Sequence, residues 1–98
     1  MGFTPDSISL DFPQTGEGVS VNVLPFVYKS IQLVGVGDAV IQLMGSNDNK
    51  SFNQVGVDIT ADGIYDVNPI VMFLGISIDS GSAAEHRSAV LAGLRGTQ

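Results

Sequence analysis

The sequence predicts an all-β protein, an antiparallel β-sandwich of jelly-roll type with about seven or eight strands. Two observations lead to this fold class. Apolar and polar residues alternate along most of the chain, as they do in half-buried strands. Turn-forming residues separate these runs at short and regular intervals. The chain also lacks the strand–helix–strand alternation of an α/β nucleotide-binding fold.

The first half of the chain contains four alternating runs. In the first, Ile8, Leu10 and Phe12 share one face while serine and aspartate occupy the other. The pattern repeats with Val, Ile and Leu as the apolar residues, which favour strands. The predicted strands cover residues 7–12, 18–24, 29–36 and 38–45.

The second half predicts four further strands, over residues 52–59, 63–67, 70–78 and 88–96. The run 70–78 is apolar on both faces, which is typical of a central strand that is covered on both sides. The last run has the Ala and Leu content of a short helix, but Val90, Gly93 and Gly96 favour a strand.

The length of 98 residues predicts one domain over residues 1–98. Residues 1–6 show no periodicity, and Gly2 and Pro5 flank Phe3, so we expect a loose N-terminal arm there. The first 13 residues lack the basic and apolar regions of a signal peptide. We therefore expect a soluble protein that is made in the cytoplasm of a cell.

Charge and composition exclude several functions. The net charge is −6, and the four basic residues, Lys29, Lys50, Arg87 and Arg95, are scattered singly. Nucleic acids and anionic membranes both require clustered cations, so neither is an expected partner. The absence of cysteine excludes disulfides, zinc–thiolate sites and cysteine nucleophiles. Only 14% of residues are charged, against about 25% in average proteins, which indicates a surface rich in uncharged polar residues, a surface partly covered in an oligomer, or both.

The segment Asn47-Asp48-Asn49 resembles a cation loop because it offers several oxygen ligands. A calcium loop of the EF-hand type needs alternating ligands, a central glycine and a distal glutamate. Here the oxygens are consecutive, Lys50 follows them, and no glutamate is nearby. Asn and Asp also form tight turns with their own backbone. We interpret the segment as a turn, and we expect no metal site.

Two groups of residues raise the question of catalysis. His86 stands between two charged residues in a predicted loop, without a recognisable nucleophile motif. Asp62-Gly63 predicts a hairpin turn that would bring Asp58 and Asp66 together, as a carboxylate pair for hydrolysis or as a solvated edge. The hydrolase remains a third hypothesis. We expect a protein that is not an enzyme and that carries no cofactor.

Three aromatic residues are candidates for contact with a partner protein. Phe26 and Tyr28 are two positions apart in the segment LPFVYKS, so in an extended conformation they would share an exposed face. Phe3 lies in the predicted arm. Aromatic residues are enriched in protein interfaces, and exposed rings also stack on sugars.

The order of features over residues 28–96 resembles a known family. YKSIQLVG leads to AVIQLMGSNDNKSFNQV, DITADGIYDVN, IVMFLGISIDSGSA and AVLAGLRG. This order is similar to that of small tailed-phage virion proteins of the head decoration or cement type. Asn49 stands where such proteins have glycine in the turn, and Phe52 where they have tryptophan.

The resemblance implies a jelly-roll sandwich that binds the capsid surface as a homo-oligomer, a dimer or a trimer, and stabilises the shell. Its partner would be the major capsid protein of the same virion, and its location the capsid surface after synthesis in the host cytoplasm. It supplies no catalytic residues. The alternative hypothesis is a carbohydrate- or receptor-binding module of a virion fibre or spike.

Overall fold

The structure, a computed structural model, describes residues 2–97. Within this range the chain forms eight β-strands: β1 Gly2–Ser9, β2 Val21–Asn22, β3 Phe26–Val34, β4 Val40–Ser46, β5 Asn53–Gln54, β6 Gly63–Val67, β7 Phe73–Ser80 and β8 Ser88–Thr97. They form two four-stranded sheets, with strand orders β1-β8-β3-β6 and β2-β7-β4-β5. All strand pairs are antiparallel. The predicted all-β sandwich is confirmed.

The strand pairs are nested, because β1 pairs with β8, β2 with β7, β3 with β6 and β4 with β5. This is the pairing of one long hairpin that has been rolled up into two sheets. The loop between β4 and β5, residues 47–52, is the tip of that hairpin. Eight strands paired in this way are a jelly roll, as the sequence predicts.

The core lies between the sheets and consists of aliphatic side chains. Each sheet contributes alternate residues from its two central strands, as a half-buried strand requires. The largest fully buried side chains are Ile31, Leu33 and Leu91 from one sheet, Ile41, Leu74 and Ile76 from the other, and Val23 and Val36 from the loops beside them. This core positions the outward-facing residues of the first sheet.

The prediction of a loose arm over residues 1–6 is wrong for residues 2–6, which belong to β1; Met1 lies outside the described residues. Every residue from Gly2 to Ser9 has a partner in β8. Pro5 is compatible with a strand because β1 is the edge of its sheet. An edge strand has a neighbour on one side only, so a residue without an N–H group is tolerated there.

Two predicted strands are shorter than expected. The run 18–24 contributes only Val21–Asn22 as a strand, although Gly18 N–H also donates to the Ile76 carbonyl. The run 52–59 contributes Asn53–Gln54, and Ile59 forms an isolated bridge to Ile41. Gly56 has a φ of 80°, a left-handed conformation that interrupts a strand. The predicted strands over 70–78 and 88–96 are confirmed as β7 and β8, both inside their sheets.

Candidate binding surface

The solvent-facing side of the sheet β1-β8-β3-β6, named the outer face here, carries few charges, and its inner strand β8 is largely apolar on this side. The registers place Ser7, Ala92, Ser30 and Asp66 in one row across it, and Ser9, Val90, Gln32 and Ile64 in the next. The outward residues of β8 are Val90, Ala92 and Leu94, all apolar, although the solvent side of an antiparallel sheet is normally polar. In these two rows Asp66 is the one ionised residue. A strand that is apolar on both faces is typical of a sheet that is covered on both sides.

A groove lies at one end of this sheet, between the start of β3 and the end of β6. Its apolar lining consists mostly of exposed side chains, which are Phe3, Leu24, Val27, Tyr28 and Ile70. Asp66, Asn68 and Lys29 supply polar groups. Contiguous exposed apolar surface of this kind marks binding sites in soluble proteins.

A backbone irregularity shapes the groove. The register between β3 and β8 shifts between Val27 and Ser30, as in a β-bulge, and Tyr28 adopts a φ of 52°. A positive φ is unfavourable for a bulky aromatic residue. The Tyr28 side chain is 88% exposed, so no packing in the described chain accounts for this conformation. Such strain is found at ligand-binding positions.

Lys29 lies in the wall of the groove with its stem buried. The residue is 7% exposed, and its ammonium makes no hydrogen bond or ion pair within residues 2–97. Burial lowers the pKa of Lys29 below its ordinary value, since desolvation disfavours the charged form. Asp66 also lines the groove. Lys29 is paired with Val67, and Asp66 precedes Val67 in β6, so the Asp66 side chain points to the opposite side of the sheet from Lys29.

Asp6 and Arg95 lie on the same side of the sheet as Lys29 by register, and they are paired with each other. Gly93 packs against Lys29, and Asp6 is the register partner of Gly93 on the next strand. The Asp6 carboxylate accepts a hydrogen bond from Arg95 Nη1 at 3.3 Å. The Ser7 backbone N–H and Arg95 together hold the pKa of Asp6 below its ordinary value. Asp6 is therefore committed to Arg95 and leaves Lys29 without a partner.

The structure brings two of the three predicted contact residues to this groove in exposed form. Phe3 is 62% exposed and Tyr28 is exposed, whereas Phe26 is 4% exposed and packs in the core. The prediction of an exposed Phe26–Tyr28 pair is therefore wrong. The bulge after Val27 is the reason, because it changes the alternation of side chains along β3. The aromatic pair on which a sugar-stacking site was predicted does not form.

Sequence reasoning missed Lys29 as a candidate, although a signal was present. Lys29 lies on the same face of β3 as Ile31 and Leu33, which are both fully buried. A charged residue on the core-facing side of a strand is unusual. The alternation thus predicts a buried stem at this position. It does not reveal that the ammonium lacks a partner, since that depends on the residues of β6 and β8.

The tip of the rolled hairpin confirms the turn interpretation of residues 47–49. Asp48 Oδ1 accepts hydrogen bonds from the backbone N–H groups of Ser51 and Lys50 and from the Ser46 hydroxyl. The first two are the main reason why the pKa of Asp48 lies below its ordinary value. Asn49 adopts a left-handed φ of 58°, which asparagine tolerates. The Asp48 carboxylate is thus used by the turn itself, while Asn47 Oδ1 accepts a hydrogen bond from Met72 N–H and Asn49 Oδ1 accepts one from the Ser20 hydroxyl.

The predicted hairpin at Asp62-Gly63 is wrong. Ile59 bridges to β4 in one sheet, while β6 begins at Gly63 in the other, so the segment between them crosses from sheet to sheet. Asp58 and Asp66 consequently belong to different sheets and do not face each other across a hairpin. Local sequence shows the turn dipeptide but not the strand that follows it.

Asp62 has a structural role that the sequence did not reveal. Its two carboxylate oxygens accept hydrogen bonds from Val36 N–H at 2.8 Å and from Gly35 N–H at 3.1 Å. These bonds lower the pKa of Asp62 and tie the crossing segment to the β3–β4 turn. His86 is an exposed loop residue, as predicted.

The described residues, 2–97, contain neither a metal-binding cluster nor a membrane-spanning helix. Residues 2–97 contain no group of three or more histidine, aspartate or glutamate side chains arranged to hold a metal ion. The same part of the chain contains no helix that is long and apolar enough to cross a membrane.

Comparison with known proteins gives one informative similarity. No family model matches the chain, and no curated protein matches it. Among solved structures, the SPBc2 prophage-derived protein YomS is similar, with a TM-score of 0.71 over 96% of both chains. The two sequences are 11% identical. At this identity the similarity establishes a shared fold, and that fold occurs in a protein encoded by a prophage.

Proposed function

We propose that the protein is a non-enzymatic structural protein of a phage virion that binds the capsid surface as a homo-oligomer and stabilises the shell. The observation that carries the proposal is the outer face of the sheet β1-β8-β3-β6, which is nearly uncharged and exposes Ile64 and Val34 beside the apolar residues of β8. A monomer that worked alone in water would have a polar surface on this side of an antiparallel sheet. The jelly-roll fold shared with a prophage-derived protein supports a phage origin.

The outer face has the dimensions of a subunit interface. Four strands at about 4.8 Å spacing and eight residues at about 3.4 Å rise give a face of about 500 Å² in projection. A standard protein interface buries about 800 Å² on each partner. The face therefore supplies most of one partner's share of an interface between copies. Its nearly uncharged character also lets two copies of an acidic chain approach without strong repulsion.

The proposal assigns the two surfaces to different partners. Copies of the chain associate through the part of the outer face around Val90, Gln32 and Ile64, and the groove at the end of the sheet, which begins at Ser30 and Asp66, binds the major capsid protein. Repeated copies on a symmetric shell then bind with avidity, so a weak individual contact suffices. This arrangement requires no catalytic group.

The oligomer is tested by sedimentation of the purified protein and of two matched variants. Ile64 is 68% exposed on the outer face, and Val57 is 82% exposed in the loop after β5. A lysine at position 64 places a charge in the apolar contact, so Ile64→Lys is expected to dissociate the dimer or trimer. Val57→Lys adds the same charge elsewhere and is expected to leave the oligomer intact.

The location is tested by mass spectrometry of particles from the source phage and by co-sedimentation with capsids. We expect the chain in the particles at a copy number that is a simple multiple of the capsid symmetry. A strictly monomeric protein at high concentration, absent from the particles, would contradict the proposal.

A further inference from the structure

The unpaired ammonium of Lys29 points to a ligand that carries negative charge. The Lys29 stem is buried and its ammonium is partly desolvated, and proteins normally provide an acid or a hydrogen-bond acceptor beside such a cation. Here the residue is nine-tenths buried, and its nitrogen has no acceptor within residues 2–97. No side-chain nitrogen in that range is sealed from solvent without a hydrogen-bond partner, so the ammonium is in contact with solvent, and Lys29 is one of the residues that line the groove.

The rest of the groove specifies the remainder of the ligand. Phe3, Tyr28 and Ile70 present large exposed apolar surfaces on its walls. Apolar walls around a single cation fit a ligand with apolar groups on either side of one carboxylate. A chain without a carboxylate would bury Lys29 and leave it unpaired, which is costly.

We infer that the groove binds a segment of a partner protein in which an aspartate or glutamate is flanked by apolar side chains, with the carboxylate accepting a hydrogen bond from Lys29. An internal acidic side chain is favoured over a chain terminus, because terminal carboxylates are usually captured by successive backbone N–H groups, whereas this site offers a side-chain cation. The inference names the chemistry of the partner contact, and it rests on the proposed function only for the identity of that partner.

Charge complementarity also argues against a second copy of this chain in the groove. The chain has a net charge of −6, so a second copy would bring an acidic surface to a groove whose lining has one cation, Lys29. Lys29 can neutralise one acid but not a whole acidic face. A single acidic residue in an otherwise apolar segment matches the site better.

The inference is tested with short peptides and the full-length ¹⁵N-labelled protein by NMR titration. The probe is acetyl-Gly-Leu-Asp-Phe-Gly-amide, and its matched control has Asn in place of Asp. We expect the Asp peptide to shift the amide signals of Phe3, Tyr28 and Ile70, and to bind at least about ten-fold more tightly than the Asn peptide. The Lys29 side-chain pKa is expected to rise when the Asp peptide binds.

Two lysine variants distinguish binding at Lys29 from a general effect of the protein's positive charges. Lys29→Met is expected to bind both peptides equally, since the carboxylate has lost its partner. Lys50→Met removes an exposed lysine from the β4–β5 loop, and it is expected to keep the preference for the Asp peptide. Because Lys29→Met replaces a desolvated cation with an apolar chain of similar length, it should fold at least as well as the wild type.

Several outcomes would overturn the inference. Equal binding of the Asp and Asn peptides by the wild type would remove the role of Lys29. Tighter binding of acetyl-Gly-Leu-Phe with a free C-terminus would indicate a terminal carboxylate instead. Displacement of a protein dimer by the Asp peptide would show that a second copy occupies the groove. None of these results depends on capsids, so failure here is distinguishable from failure of the proposed function.

Discussion

Gly93 lies directly against Lys29: a Cβ atom at position 93 would be 3.2 Å from both the Cα and the Cβ of Lys29, and 3.1 Å from the Val27 carbonyl oxygen. These distances are shorter than normal van der Waals contacts. The absence of a side chain on β8 at this point therefore provides the space into which the β3 bulge fits. The bulge in turn exposes Tyr28 and buries the stem of Lys29.

Gly93→Val is expected to destabilise the protein by about 1–3 kcal/mol, because its side chain would collide with the bulge backbone. Thermal unfolding measures the effect. Gly96→Val on the same strand is the matched control, since the nearest atom to a Cβ there is Phe3 Cε1 at 4.0 Å. We expect the control to be neutral or slightly stabilising, as valine favours strands. Equal destabilisation by both variants would contradict the packing argument.

Lys29→Met is expected to stabilise the protein by about 1 kcal/mol, because it removes the cost of burying an unpaired cation. For a domain of this size that corresponds to a rise of about 4–8 °C in the melting temperature. Lys50→Met, at an exposed position, is expected to change the melting temperature little.

The stabilisation by Lys29→Met should also depend on pH. The pKa of Lys29 is lowered from its ordinary value of 10.5 in the folded state, so between the two values the unfolded chain binds more protons. Wild-type stability therefore rises with pH through this window. The advantage of the Met variant is full below the lowered pKa and shrinks as the pH approaches 10.5. An advantage that stays constant from pH 7 through that window would show that Lys29 is not desolvated.

Tyr28→Asn is expected to leave the melting temperature unchanged or to raise it. Tyr28 adopts a left-handed conformation that costs a tyrosine roughly 1 kcal/mol and that asparagine tolerates. The exposed Tyr28 ring also makes little packing contact that could be lost. Tyr65→Asn is the control on the chain's other tyrosine, which packs against the core and donates a hydrogen bond to the Ala61 carbonyl. That variant should be clearly destabilised. A large loss of stability in Tyr28→Asn would mean that the ring is structurally required.

Asp62→Asn is expected to lower the melting temperature at pH 7, because an amide can accept only one of the two hydrogen bonds from Gly35 and Val36. Asp79→Asn, which alters an exposed carboxylate without a hydrogen bond to its side chain within residues 2–97, should have a smaller effect.

The effect of Asp62→Asn should disappear in acid. The folded-state pKa of Asp62 is below its ordinary value of 3.8, so its contribution is present above that value and is lost as the pH falls through the lowered pKa. Calorimetry from pH 7 to pH 2 is expected to show that the melting temperatures of the wild type and of Asp62→Asn become equal at the acid end. Curves that stay parallel would indicate that the Asp62 carboxylate does not clamp the turn.

Much of the fold was predictable from local patterns. Alternation identified the strands that contain Ile31, Leu33 and Leu91, and these residues are fully buried as expected. The turn at Asp48 was predictable because an aspartate bonds to backbone groups only two and three residues away. Both signals arise within a few residues, so the sequence carries them without knowledge of distant partners.

The candidate site was only partly predictable. Phe3 and Tyr28, two of the three candidates for partner contact, are exposed in the groove, whereas Phe26 is buried in the core. Side-chain alternation is interrupted where a bulge adds a residue, and the bulge depends on Gly93, which is more than sixty positions away. For the same reason the sequence does not show that Lys29 has no acidic side chain bonded to it within residues 2–97.

The sequence by itself determined an all-β chain with few charges, short strands and self-sufficient turns, because side-chain periodicity and turn chemistry act over neighbouring residues. Only the tertiary structure decided which strands pair, that residues 2–6 complete a sheet edge, that Asp58 and Asp66 are separated, and that a buried lysine faces an apolar groove. These features depend on backbone hydrogen bonds and contacts between strands at opposite ends of the chain, such as β1 with β8, and local periodicity contains no record of that pairing.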